Sequence, residues 1–147
     1  MMASFLRVCF CLSFISLIIG CQRLPDRPEG MPELVPCTVV VTFGNEKMEG
    51  VAVLLQPMNK EVSNWPGGGQ TDAEGKAIIQ TAAYYQGVAP GEYTISFQKS
   101  RPEGMGPGVP LIPVKYFPTQ SKETITVSKS QAEYVFTLDA LDVNAKK

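Results

Sequence analysis

"GGGQTDAEGKAIIQT", residues 67–81, decides how the rest of the chain is read. Asp72 and Glu74 stand one residue apart, just before Gly75. Three readings compete for that spacing: a calcium loop, half of a catalytic acid pair, and a turn. An EF-type calcium loop needs oxygen ligands at positions 1, 3 and 5, glycine at 6 and glutamate at 12. Counted from Asp72, glycine already falls at position 4 and a cation, Lys76, at position 5, so the calcium reading fails. Acid–base work asks for carboxylates facing each other across a cleft, roughly 5 Å or more apart. Neighbouring turn residues point into solvent instead. A turn accounts for every residue: Asp72 bonds the backbone ahead of it, and Gly75 supplies a positive φ before a strand starts at Lys76.

Outward from this turn the hydrophobic period is two. "CTVVVTF" (37–43) and "VAVLLQP" (51–57) are β-branched runs flanking the polar turn "GNEKMEG". "EYTISFQK" (92–99) alternates, with Tyr93, Ile95 and Phe97 on one side and Thr94, Ser96 and Gln98 on the other. "KAIIQT" (76–81), "ETITVS" (123–128) and "YVFTL" (134–138) complete the set, and Pro90-Gly91 marks a second turn. Short strands separated by Gly, Pro, Asn and Asp predict an all-β fold, a single antiparallel β-sandwich of about seven strands. No segment has a convincing amphipathic helical period, although "AAYYQG" (82–87) has room for one helical turn. Three connections are longer than hairpins need: 58–70, 82–91 and 100–122. The last ends in the apolar "LIPVKYFP", which should pack back onto the domain.

The ends differ from this middle. Arg7 precedes an uncharged apolar run from Val8 to Gly20, the pattern of a secretory signal. At 13 residues it is shorter than the roughly 20 that span a bilayer core. Residues 22–35, "QRLPDRPEGMPELV", hold three prolines and mixed charge and read as an extended tether, whose last part, "MPELVP", regains apolar residues and is expected to lie against the domain. The expected organisation is a signal peptide at 1–20, a tether at 21–35, a sandwich at 36–140 and a polar tail at 141–147. "RPEGM" occurs at both 27–31 and 101–105, without implying a repeat architecture.

Composition narrows the chemistry. Loss of Arg7 with the signal leaves 12 basic against 14 acidic residues, a balance that speaks against nucleic acid and against a polybasic membrane patch. There is no histidine, so Ser-His-Asp and Cys-His nucleophiles and His-ligated zinc are excluded. No phosphate-binding glycine motif is present. We expect no catalytic residues, no metal site and no cofactor. Cys9 and Cys11 leave with the signal, and Cys37 then has no disulfide partner beyond Cys21. With no cation beside it to depress its pKa, Cys37 reads as a small buried residue.

Two resemblances extend the reading. "LIIGC" (17–21) resembles a bacterial lipobox. That implies cleavage before Cys21, diacylglycerol on its sulfur, and attachment to the membrane through the lipid. Gln22 after the cysteine resembles the outer-membrane default, so the expected location is the cell envelope. Second, "QTDAEGKAIIQT" followed by "VAPGEYTISFQK" resembles the T-D-x-x-G hairpin and P-G-x-Y strand of carboxypeptidase-regulatory-like domains. These are transthyretin-like, prealbumin-type sandwiches. "GNEKMEGVAVLLQP" resembles their first hairpin more loosely, with Lys47-Met48 in place of Pro-Leu and Val51 in place of Ala. The 112–139 segment resembles the tail of small planctomycete-type lipoproteins. The likeness covers residues 35–139 and implies a fold without an active site. Related sandwiches crosslinked by Lys–Asn isopeptide bonds carry a lysine in the first strand, and "CTVVVTF" has none.

The expected function is a non-enzymatic, membrane-anchored envelope lipoprotein with a binding or structural module, taking a protein or glycan partner. The alternative is a carbohydrate-binding module that uses loop aromatics as platforms for sugar faces: Trp65, Tyr84, Tyr85, Tyr116 and Phe117. Trp65 precedes the 67–81 stretch and the tyrosine pair follows it. A six-residue strand separates its ends by about 20 Å. On that basis Trp65 and the tyrosines are expected at opposite ends, unable to form one platform.

Overall fold

The computed structural model describes residues 25–106 and 108–139. The expected signal peptide, Cys21, Ala140 and the 141–147 tail lie outside the described residues. The fold is all-β, with two sheets around a shared core. The strands are β1 (Thr38–Phe43), β2 (Glu46–Lys47), β3 (Ala52–Pro57), β4 (Gly67–Gln70), β5 (Lys76–Ile78) and β6 (Gln80–Thr81). They continue with β7 (Tyr85–Gln86), β8 (Gly91–Gln98), β9 (Ser100–Arg101), β10 (Val109–Pro110), β11 (Thr124–Val127) and β12 (Glu133–Leu138). One sheet runs β12-β1-β2, with β5 also on β1. A second runs β11-β8-β3-β4-β6-β7, and β9 and β10 pair with each other as a separate two-stranded sheet. Among the described residues no helix is long and apolar enough to cross a membrane.

The alternation read from the sequence sets the core. Val39 and Val41 of β1, Val53 and Leu55 of β3, and Tyr93, Ile95 and Phe97 of β8 all point inward and are buried. Ile125, Val127, Tyr134 and Leu138 close it from β11 and β12. The "LIPVKYFP" segment packs back through Ile112 and Tyr116.

Four features depart from the expected layout. First, β1 and β12 are parallel, in a sandwich whose other strand pairings are antiparallel as expected. The reason is directional: β11 ends beside the start of β8 (Val127 opposite Gly91), and a short turn drops the chain into the other sheet at the end where β1 begins. Second, "KAIIQT" is not one strand. Lys76–Ile78 pairs with β1, while Gln80–Thr81 pairs with β4 in the other sheet. Ile79, fully buried, is the corner: its N–H donates to Cys37 O (2.9 Å) and its carbonyl accepts from Gly87 N (2.7 Å).

Third, the glycine run expected to be loop is a strand. Gly67–Gln70 sits between β3 and β6, fully inside the six-stranded sheet. Glycine is a poor strand former. At Gly67 and Gly69 the neighbours leave no room for anything larger: a Cβ at Gly69 would stand 2.7 Å from the Ile78 carbonyl oxygen. Fourth, "AAYYQG" forms no helical turn. It holds the 82–84 tip and strand β7 of the β6–β7 hairpin, with Thr81 opposite Tyr85.

The registers define two ends of the sandwich. Leu55 pairs with Gly67, Gly67 with Thr81, and Pro57 with Tyr93. One end therefore gathers the 58–66 loop, the 82–84 tip, Pro90 and the 128–131 turn. The N-terminal segment arrives there too: Val35 bridges Val88 (2.8 and 3.1 Å), and Lys129 bonds Glu33 (3.0 Å). We call this the tether end. The far end holds the 44–50 and 71–75 turns and the β9–β10 hairpin.

Candidate functional site

At the far end, Asp72 organises the turn between β4 and β5. Its Oδ1 accepts from the N–H groups of Glu74 and Lys76, both at 2.9 Å. The Gly75 N–H bonds the Asp72 carbonyl, and Asp72 N bonds the Lys76 carbonyl (2.9 Å each). Gly75 has φ +72°. Thr71, buried beside it, accepts from Val51 N (2.8 Å) and donates to Met48 O (2.5 Å). These bonds tie the turn to the start of β3. Asp72 thus spends one carboxylate oxygen on two backbone donors. At the tether end, Pro90 and Gly91 lead into β8, and Tyr93 OH donates to Ala89 O (2.7 Å) across the same turn.

The aromatic candidates separate into two groups. Tyr116 is 6% exposed and belongs to the core. It meets Phe97 edge-on, with centroids 6.3 Å apart, and its hydroxyl bonds Asp139 Oδ2 (2.9 Å). Burial removes it as a platform for a ligand, and Phe117 is likewise partly packed against the core. Trp65, Tyr84 and Tyr85 lie at the tether end. The expectation that Trp65 and the tyrosines stand apart is overturned by β4. Trp65 comes two positions before Gly67, and the hairpin tip begins just after Thr81, its partner. The strand between Trp65 and the 71–75 turn is β4 itself, which the sequence reading had missed.

Tyr84 is 58% exposed at the tip, whereas Tyr85 and Trp65 are half-buried. Tyr85 OH lies 2.6 Å from Pro25 O and 2.8 Å from Asp26 O, its single proton shared between two carbonyls. Between the hairpin and the N-terminal segment runs an open groove of about 620 Å³. It is lined by Arg27, Glu33, Leu34, Gln80, Gln86 and the two tyrosines. Two rings with amide, carboxylate and guanidinium groups form a mixed surface able to bind a polar ligand with apolar faces.

The hairpin tip is strained. Ala82 and Ala83 have φ +51° and +63°, and Tyr84 N reaches the Thr81 carbonyl at 3.4 Å. Two consecutive positive-φ residues suit the twist of a tight hairpin, but the usual occupants are Asn and Gly. Each L-residue in that region costs about 1–2 kcal/mol. Ala83→Gly should therefore raise the unfolding free energy by about 1 kcal/mol, the strain relieved less the added entropy of glycine. A denaturant midpoint at or below that of the parent protein would show the tip to be unstrained.

Two chemically notable groups play structural parts. Cys37 is 2% exposed, and burial pushes its thiol up to about 11. Native protein should resist alkylation at neutral pH and react only once unfolded. The raised value favours the folded state below the unfolded pKa near 9, and that advantage fades as pH rises through about 11. Cys37→Ala should flatten this alkaline loss of stability, and rapid labelling of native protein would contradict the burial. At the far end Lys115, Tyr116 and Asp139 form a clasp that fastens the end of β12. The Lys115 ammonium bonds Asp139 and lies 4.9 Å from the Tyr116 ring centroid. Hydrogen bonds from Lys115 and then Tyr116 hold the Asp139 carboxyl below its ordinary range, and Asp139 in turn raises Lys115. Nothing in the sequence spacing marked this group.

No protein family matches the chain, and no curated protein matches it. Among solved structures the chain is similar to "BcpA, the major pilin subunit of Bacillus cereus", with 16% identity and a TM-score of 0.42. The match covers 74% of this chain and 30% of that pilin.

Proposed function

We propose that this chain is a non-enzymatic, lipid-anchored β-sandwich of the bacterial cell envelope, held at the outer membrane through Cys21. It works as a binding or structural module displayed close to its anchor. The observation that carries the reading is the fastening of the N-terminal segment onto the domain. Tyr85 OH holds the carbonyls of Pro25 and Asp26, Lys129 holds Glu33, and Val35 is buried in the core. A chain emerging from a membrane anchor would meet the domain after a few residues. The groups with the most chemical potential are already engaged in holding the fold. Asp72 caps a turn, Asp139 clasps Lys115 and Tyr116, and Cys37 is buried. Among the described residues no buried side-chain nitrogen or oxygen lacks a hydrogen-bond partner.

The test is the anchor. Intact mass of protein extracted from membranes should correspond to a chain beginning at Cys21 with acyl groups added. Cys21→Ser should move the protein from the detergent phase to the aqueous phase, because several acyl chains supply the stable attachment. A Cys21→Ser protein that still partitions into detergent would contradict the proposal.

A further inference from the structure

We propose that the tether end is a membrane-resting face, with Tyr84, Met58 and Trp65 seated in the headgroup layer of the bilayer that holds Cys21. This deepens the anchored-module reading and rests on it. The sequence alone reads residues 22–35 as an extended tether whose last part, "MPELVP", is expected against the domain; the structure adds contacts at its start as well. Pro25 and Asp26 sit on Tyr85, Glu33 on Lys129 and Val35 on Val88. Only residues 22–24 separate Cys21 from Pro25. Four Cα steps at about 3.5 Å span about 14 Å at full extension. The interfacial layer is itself about 5–8 Å thick on each side of the hydrocarbon. The hairpin that grips Pro25 therefore cannot stand far from the lipid surface.

The residues at that end suit such contact. Tyr84 is 58% and Met58 55% exposed, and Trp65 is half-buried beside them in the chain's course. Tyrosine and tryptophan settle at the boundary between headgroups and acyl chains, where an apolar ring and a polar edge are both satisfied. Charge does not supply the attraction. Arg27, Lys60 and Lys129 are outnumbered at the same end by Asp26, Glu33, Glu61, Glu92 and Glu133. The anchor supplies it, by making contact intramolecular at an effective concentration in the millimolar range for a short link. A soluble form lacking the lipid should accordingly show no affinity for vesicles.

The test uses the full acylated chain in a Cys37→Ala background, reconstituted into phosphatidylethanolamine–phosphatidylglycerol vesicles. A fluorophore is placed through Tyr84→Cys, through Met58→Cys at the same end, or through Met105→Cys. Met105 is wholly exposed on the β9–β10 hairpin at the far end and serves as the control. Quenching by lipids spin-labelled near the headgroup is then read. The labels at 84 and 58 should be quenched several-fold more than the label at 105. Vesicle flotation and intact mass are read on the same samples. Protein that floats with its vesicles but shows equal quenching at 84 and 105 overturns the orientation while leaving the anchor standing. Protein that lacks acyl mass and stays at the bottom of the gradient overturns both. A label at 84 that remains in water with vesicles but responds saturably to soluble envelope polysaccharide overturns the membrane face in favour of glycan binding in the groove.

Discussion

Gly75→Val is expected to lower the unfolding free energy by about 3–5 kcal/mol, as strain in a positive-φ position adds to a backbone displacement. Gly75 lies at φ +72°, where a β-branched side chain is strongly disfavoured. A Cβ there would also stand 2.7 Å from the Val41 carbonyl oxygen and 3.3 Å from Met48 N. Both are backbone atoms, in β1 and in the neighbouring turn, so no rotamer change relieves the clash. The Gly75 carbonyl accepts from Val41 N at 2.8 Å, and moving the turn would break that bond as well. Small domains hold about 5–15 kcal/mol in all, so the loss would unfold a marginal protein. Asp72→Asn should change stability by less than about 1 kcal/mol, because the amide oxygen can accept the same two N–H bonds. Urea titrations of the three proteins give the comparison. Equal midpoints for Gly75→Val and the parent would place the turn elsewhere.

The glycine strand gives the second large effect, and a position-specific one. Gly69→Val should cost about 2–4 kcal/mol through overpacking against fixed backbone. Its Cβ would lie 2.7 Å from Ile78 O and 3.3 Å from Ile79 Cδ1, where the two sheets approach at the corner. Its neighbour faces the other way: the nearest atom to a Cβ at Gly68 is Val53 O at 3.6 Å, an ordinary contact. Gly68→Ala should leave stability unchanged or raise it by up to about 1 kcal/mol, since alanine loses less backbone entropy than glycine on folding. In a solvated loop, both substitutions would be tolerated. Chemical denaturation of the two variants separates a buried strand from a loop, and equal tolerance would contradict β4.

The core of the sandwich was legible because its longer strands carry the period-two signal themselves. Val39, Val41, Val53, Leu55, Tyr93, Ile95 and Phe97 alternate with polar or less buried neighbours, and all seven are buried. The Asp72 turn was legible for a related reason: its hydrogen bonds join residues at most four apart. β4 was not legible. Its glycines oppose strand propensity; what selects Gly69 is the Ile78 carbonyl nine positions further on, and what selects Gly67 is the packing of Val88 and Ile79. That single miss carried the error over Trp65, since a loop at 58–70 leaves it free to lie near the 71–75 turn. Ala82-Ala83 gave no hairpin signal, because alanine is not the residue such a turn selects. Tyr116 reads as a loop aromatic until the fold brings Phe97 and Asp139 to it. The groove at the tether end has the same origin, since Arg27 and Glu33 come to Gln80–Gln86 only through the docking of the N-terminal segment.

The grouping of tether, Trp65 and tyrosine hairpin at one end depends on Gly67–Gln70 pairing on both sides. The most direct measurement is a set of cross-strand nuclear Overhauser contacts in isotope-labelled protein, with amide exchange rates for residues 67–70. Contacts are expected from Gly67 to both Leu55 and Thr81 and from Gly68 to both Leu54 and Gln80, with slow exchange for the amides that pair. Fast exchange through 67–70, with direct contacts between β3 and β6 instead, would remove β4 from the sheet and contradict the placement of the tether end.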